Sequence, residues 1–342
     1  MKHWKTSLMA LAAAAVLPQA SQAQQASGDF KERTIRVSHV VPKDHPFQVG
    51  VEKFAEILAQ KSGGKLKMIG FPDGQLGAEL QSISAAQGGI LEIALVSTAA
   101  AASVVKEFGV FDLPFLFTDF KEVDLVLDGP IGRRLLERVS EKNLVGLCYF
   151  ETGFRHVTNS RRPIVKAEDL KGLKIRTIQN PVFIDIFNTL GANATPMAFT
   201  EVFTALESKA IDGQETPYNN IHGNKFYEVT KYISNTGHIY GGAVILAGRK
   251  FWDQLSPMEQ KLMQETCNTA RDFERSYQRS EDPKLLAQIK AKGGIYTEIS
   301  PAERARMRDM LKPVYDKYSR TLGEDVVRQT LAELEKHRAS VK

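Results

Sequence analysis

The chain has 342 residues, 43% of them hydrophobic and 25% charged, with a formal net charge of +5. Its length favours about two domains, and lysine and arginine are interleaved with aspartate and glutamate throughout, so there is no basic stripe for nucleic acid. The only cysteines, Cys148 and Cys267, are too few for a disulfide scaffold and have no metal-ligand neighbour.

Lys2 and Lys5 precede the apolar run Leu8 to Leu17, and Ser21 and Ala23 stand where a small-residue cleavage site needs them. This predicts a secretory signal peptide over residues 1–23. No other run approaches the roughly 20 apolar residues of a membrane span, so the mature protein is expected to be exported and soluble, with no direct membrane insertion.

Thr34 to Val40 alternates as a strand, and the following helix carries Phe47, Val51, Phe54 and Leu58 on one face. Helical patterns stop at Gly63-Gly64, Gly88-Gly89 and Gly293-Gly294, each before a strand. That repetition predicts an α/β layer architecture with both sheet faces covered. Phe108 to Phe117 reads as buried strand and turn. Helices are expected over about 119–127 and 130–141, then a strand over 143–150. Cys148, in that strand, and Cys267, in a helix, read as buried free thiols in preference to a bridge. The polar segment Glu151 to Ser160 and the apolar Tyr240 to Gly248 read as crossings between domains. From Ser256 to about Lys292 one helix runs long enough to bridge both, and Ser256-Pro257-Met258-Glu259 and Ser300-Pro301-Ala302-Glu303 read as capping boxes. Two more helices, about 301–320 and 324–337, close the chain.

Catalytic signatures are missing: there is no G-x-S-x-G elbow, H-E-x-x-H, P-loop, C-x-x-C or G-x-G-x-x-G. The histidines lack ligand spacing, which leaves arginine in apolar surroundings. Arg176 ends the strand Lys174 to Thr177 and faces the helix that Pro181 opens, a plausible carboxylate seat. Arg155 falls at the first crossing. The bland reading of each is a salt bridge or surface charge. Phe199 is core packing or a cleft wall, and Ser97 is a helix cap or a hydroxyl contact.

The segments DLKGLKIRT, LGANATPMAFTEVFTALESKAIDGQETP, FPDGQLGAE, FDLPFLF and GGAVILAGRKFWDQL resemble the signature blocks of DctP-like substrate-binding proteins of TRAP transporters, over essentially the whole mature chain. The resemblance implies a two-domain periplasmic-binding-protein fold with an interdomain ligand cleft and a long domain-spanning helix. The discontinuous domains would be 30–153 plus 242–281 and 154–241 plus 282–342. It further implies a monomeric periplasmic receptor without catalytic activity, cofactor or metal, whose partners are a small organic anion and the small and large TRAP membrane subunits. Residue by residue, Arg176 matches the arginine that grips the carboxylate and Arg155 a second binding arginine. Phe199 matches a cleft aromatic, Gln179 and Thr216 polar contacts, and Ser97 a cleft position on the first domain. Some relatives have asparagine where this chain has Gln179 and Thr216, and the sialate-binding branch has charged residues near Ser97 and Ala100, which argues against sialate. The hydroxyl and amide groups at Ser97, Gln179 and Thr216 favour a hydroxylated monocarboxylate such as a sugar acid. The alternatives are a C4-dicarboxylate, a ligand sensor feeding a sensor kinase, and an enzyme on this scaffold.

Overall fold

The structure is a computed structural model that describes Met1 and residues 30–341. Met1 aside, the expected signal peptide lies outside the described residues. Among the described residues, eleven strands form two sheets. The strands are β1 (Arg33–Ser38), β2 (Leu66–Phe71), β3 (Ile93–Ser97), β4 (Leu144–Phe154), β5 (His156–Asn159), β6 (Lys174–Thr177), β7 (Asn193–Pro196), β8 (Gly213–Thr216), β9 (Tyr232–Asn235), β10 (Tyr240–Gly248) and β11 (Ile295–Glu298).

The first sheet has the order β2-β1-β3-β10-β4, with β1 parallel to β2 and β3, and β10 antiparallel to β3 and β4. The second has the order β11-β9-β5-β8-β6-β7. Helix-and-strand alternation produces the parallel pairs, because a parallel return needs a crossover long enough to hold a helix. The chain passes from the first sheet to the second between β4 and β5, where only Arg155 intervenes, and returns between β9 and β10. These are the two-domain α/β layers that the segment pattern predicted.

The helix Pro257–Ala291 packs against β4 and the helix Pro46–Lys61. Gly50 permits that approach: a Cβ there would lie 2.6 Å from Phe150 and 2.8 Å from the Glu274 side chain. Its later turns reach the second sheet, where Gln278 Oε1 accepts from Asn219 Nδ2 at 2.7 Å and Ile289 packs in one cluster with Ile233. Ser256 forms the full expected capping box, but Ser300 accepts only from Glu303 N, whose carboxylate turns instead to Arg306 and Ala167 N.

Three expectations are corrected. Cys148 and Cys267 form a disulfide, with Cα atoms 5.9 Å apart; packing the long helix on β4 brings together residues 119 positions apart. The apolar run after Lys106 is a 3₁₀ helix over Lys106–Asp112 rather than a strand, since an apolar run buried on all sides carries no period that separates the two. The helix expected over 301–320 breaks into Pro301–Met310 and Lys312–Thr321, Pro313 opening the second.

Candidate functional site

The residues singled out by sequence converge where strands of both sheets end. A cavity of ≈ 40 Å³ is lined by Val40, Val41 and Phe47 after β1, Ser97 at the end of β3, Thr152 and Arg155 at the end of β4, Arg176 and Ile178 around the end of β6, Thr216 at the end of β8, and by Glu79, Phe199 and Asn220. Ligands of open α/β sheets bind outside the carboxyl ends of strands, and every strand contributing here does so from that end. Gln179 is exposed and lines a smaller pocket that shares Arg176, Ile178, Phe199 and Glu79 with this cavity. It is the outermost of the six expected residues.

Arg176 is 2% exposed. Its Nε and Nη2 donate to Met197 O at 3.1 and 2.8 Å, while Nη1 is buried with no partner among the described residues. Burial pulls this guanidinium down to about 10, against the attraction of Glu215, so it stays charged at neutral pH. Its central carbon lies 5.7 Å from the Phe199 ring centroid. Phe199 in turn meets Phe226 edge-on at 5.9 Å and thus both packs on the core and faces the cleft. The helix start beyond Arg176 is not an open anion seat, because Asn180 Oδ1 caps it at 2.8 Å from Val182 N. The Asn180 amide instead ties to the first domain, donating to Ala99 O at 3.0 Å and Asp112 Oδ2 at 3.2 Å.

Arg155 differs in its state. Its Nε donates to Glu215 Oε2 at 2.6 Å and its Nη2 to Glu215 Oε1 and O, both at 2.8 Å. Glu215 is fully buried. Burial would raise its carboxyl, but Arg155 and His238 hold it below the usual carboxylate range. The Ser97 hydroxyl accepts from Ala100 N at 3.1 Å as a cap, and its own amide donates to Glu79 Oε1 at 2.5 Å. Thr216 Oγ1 accepts from Asn220 Nδ2 at 2.9 Å.

Sequence reading therefore missed Glu79, Glu215, Thr152 and Asn220. Glu215 lies in β8, every residue of which is buried, and the polar sequence Gly213 to Thr216 gives no sign of that burial. A larger groove of ≈ 540 Å³, lined by Phe115, Phe117, Phe120 and Phe154, lies elsewhere. Its Arg304 donates through Nη2 to Glu298 Oε1 at 2.8 Å and Asn235 O at 2.6 Å and leaves a buried Nε without a partner among the described residues, but none of the six residues singled out by sequence lines this groove.

The family model described as bacterial extracellular solute-binding protein, family 7 (DctP) matches residues 37–321. The chain belongs to this family. Among solved structures, the sugar acid binding protein DctPAm of Advenella mimigardefordensis, in complex with galactonate, is 41% identical, covers 90% of this chain and 99% of its own, and superposes with a TM-score of 0.88. A TRAP periplasmic solute binding protein of Polaromonas sp. JS666, bound to D-erythronate, is 34% identical over 88% of this chain and 99% of its own, with a TM-score of 0.85. The C4-dicarboxylate-binding protein DctB of Bacillus subtilis is 33% identical over 86% of this chain and 85% of its own. This DctP-family chain is a periplasmic TRAP solute receptor, a transport component rather than an enzyme, that works with the membrane permease subunits. No helix among the described residues is long and apolar enough to cross a membrane.

Proposed function

We propose that this receptor binds a hydroxylated monocarboxylate, such as a sugar acid, in the cleft between a domain of residues 30–153 plus 242–281 and one of 154–241 plus 282–342. Arg176 grips the carboxylate, Phe199 walls the ligand, and Ser97, Thr216, Arg155 and Gln179 contribute polar contacts from nearer or farther along the cleft. The observation that carries this reading is the unpartnered, buried Nη1 of Arg176. A buried donor left unpaired costs about 1–3 kcal/mol, more when charged, and a carboxylate removes that cost while matching the guanidinium plane.

Charge balance argues for one carboxylate. Arg155 is paired with Glu215, and Glu79 lines the same cavity as Arg176. Arg176 is thus the cavity arginine left to meet a ligand carboxylate, and a second ligand carboxylate would find Arg155 already paired and Glu79 repelling it. Hydroxyls can instead donate to Glu79 and accept from Thr216. The galactonate and D-erythronate complexes of the relatives support the same class.

A thermal-shift series with galactonate, D-erythronate, succinate and malate tests the reading. The aldonates are expected to raise the unfolding midpoint well above any shift from the dicarboxylates. Stabilisation by dicarboxylates alone would overturn it and restore the C4-dicarboxylate alternative.

A further inference from the structure

The cleft has a second unpaired polar atom, and it has the opposite character to Arg176 Nη1. Asn220, in the helix Tyr218–Gly223 that follows β8, is 5% exposed and lines the same cavity. Its Nδ2 donates to Thr216 Oγ1 at 2.9 Å, and its Oδ1 is buried with no partner among the described residues. The Thr216 oxygen, used as an acceptor, still carries a proton to donate.

Facing this helix is His45, which caps the helix Pro46–Lys61 of the first domain. Its Nδ1 accepts from Phe47 N at 3.1 Å, which places the proton of the neutral ring on Nε2. That nitrogen meets no partner at full hydrogen-bond geometry, but it is directed at the Asn219 and Asn220 side chains, whose hydrogen bonding pulls the ring upward against burial. Burial drives the His45 ring down to about 3, so at neutral pH it offers one donor and no charge. An unpaired acceptor on Asn220 and a hydroxyl donor on Thr216, both neutral, therefore stand together in the lining of the cavity, with the uncharged His45 ring behind Asn220.

Resting on the monocarboxylate reading, we propose that Asn220 is the hydroxyl-reading residue of the cleft: a ligand hydroxyl donates to its Oδ1 and accepts from the Thr216 hydroxyl. A hydroxyl is both donor and acceptor and fits this set. A carboxylate is an acceptor only and would face Oδ1 with repulsion, so the same atom discriminates against a second carboxylate.

The test compares the wild-type protein with Asn220→Ala and Asn220→Ser, whose short side chains cannot reach as far, using calorimetry with galactonate and, at millimolar concentration, butyrate, which has a carboxylate and no hydroxyl. The expected result is about a tenfold loss of galactonate affinity in both variants, the scale of one hydrogen bond, with butyrate affinity unchanged. An unchanged galactonate affinity, or an equal loss for both acids, would overturn the role of Asn220 while leaving the carboxylate site standing. Failure of the wild-type protein to bind galactonate or any other hydroxylated acid would overturn both readings, and that outcome is visible before any variant is made.

Discussion

Replacing Arg176 by lysine is the sharpest probe of the site. In the native protein, Met197 O takes the Nε proton and one Nη2 proton, which aims the remaining end of the fork, Nη1 and the outer Nη2 proton, away from the tether. A lysine ammonium can reach Met197 O or a ligand carboxylate, but its single nitrogen does not hold both in the planar geometry of the fork. The loss is at least one charge-assisted hydrogen bond, about 1.5–3 kcal/mol, or roughly 10- to 150-fold in Kd. Contact with Phe199 at 5.7 Å is weakened as well, adding roughly 0.5–1 kcal/mol. Micromolar binding needs about 8 kcal/mol, so the arginine supplies a fraction and the variant should still bind, weakly. Calorimetric titration with galactonate, alongside circular dichroism to show an unchanged fold, measures this. An affinity within about threefold of wild type would mean that Arg176 is a structural tether to Met197 and that the carboxylate sits elsewhere.

Other consequences reach beyond Arg176. Glu215→Gln leaves Arg155 buried without its counter-charge, and breaking such a pair costs about 3–5 kcal/mol, to be read as a lower urea midpoint. Reduction of Cys148–Cys267 releases a long loop and should lower stability by about 2–4 kcal/mol; thiol titration of the untreated folded protein should find no free cysteine. Asp282 is raised to about 7, mainly by burial. The folded state therefore holds a proton that the unfolded state has released above about pH 4, and stability should fall between about pH 4 and 7 and level off above. Asp282→Asn removes that slope, so its unfolding midpoint should exceed wild type at pH 8 and approach it at pH 4. Glu79→Gln takes one carboxylate from beside Arg176 and should shift binding toward succinate relative to galactonate in a competition titration.

What the sequence made legible depended on position relative to strand ends. Arg176, Ser97 and Thr216 each close a recognisable strand, and a residue at a strand's carboxyl end has few places to go but the cleft. Phe199 announced itself by preceding a helix with one further aromatic, Phe203, available for the core. Glu79 opens the helix Glu79–Gly88, where an acidic residue is ordinary and signals a helix start rather than a site. Asn220 lies in a segment that reads as an unremarked turn of helix. Its importance comes from what it lacks, a partner for Oδ1, and only tertiary packing decides that. The disulfide was hidden for the same reason, since nothing local to Cys148 or Cys267 specifies which helix covers β4.

The two arginines, alike in sequence, are set apart by their neighbours. Arg155 is the single residue between β4 and β5, its amide donates to Ile239 O at 2.9 Å in the return crossing, and its side chain is bound to Glu215 on β8. It is therefore fixed by the hinge and by the second sheet whether or not a ligand is present, and its charge is largely spent. Arg176 is tethered only at one edge and has a donor to give. On the proposed reading, a ligand carboxylate would interact most strongly with the wall that carries Arg176, while Ser97 and Glu79 would meet its remaining groups from the opposite wall. Closure is then rewarded only by a ligand that carries both an anionic end for Arg176 and hydrogen-bonding groups for the opposite wall. A bare carboxylate can dock on Arg176 but does little to hold the domains together. On the proposed reading, selectivity for hydroxylated acids would follow from the division of contacts between the walls, and a permease that reads the closed form would inherit that selectivity.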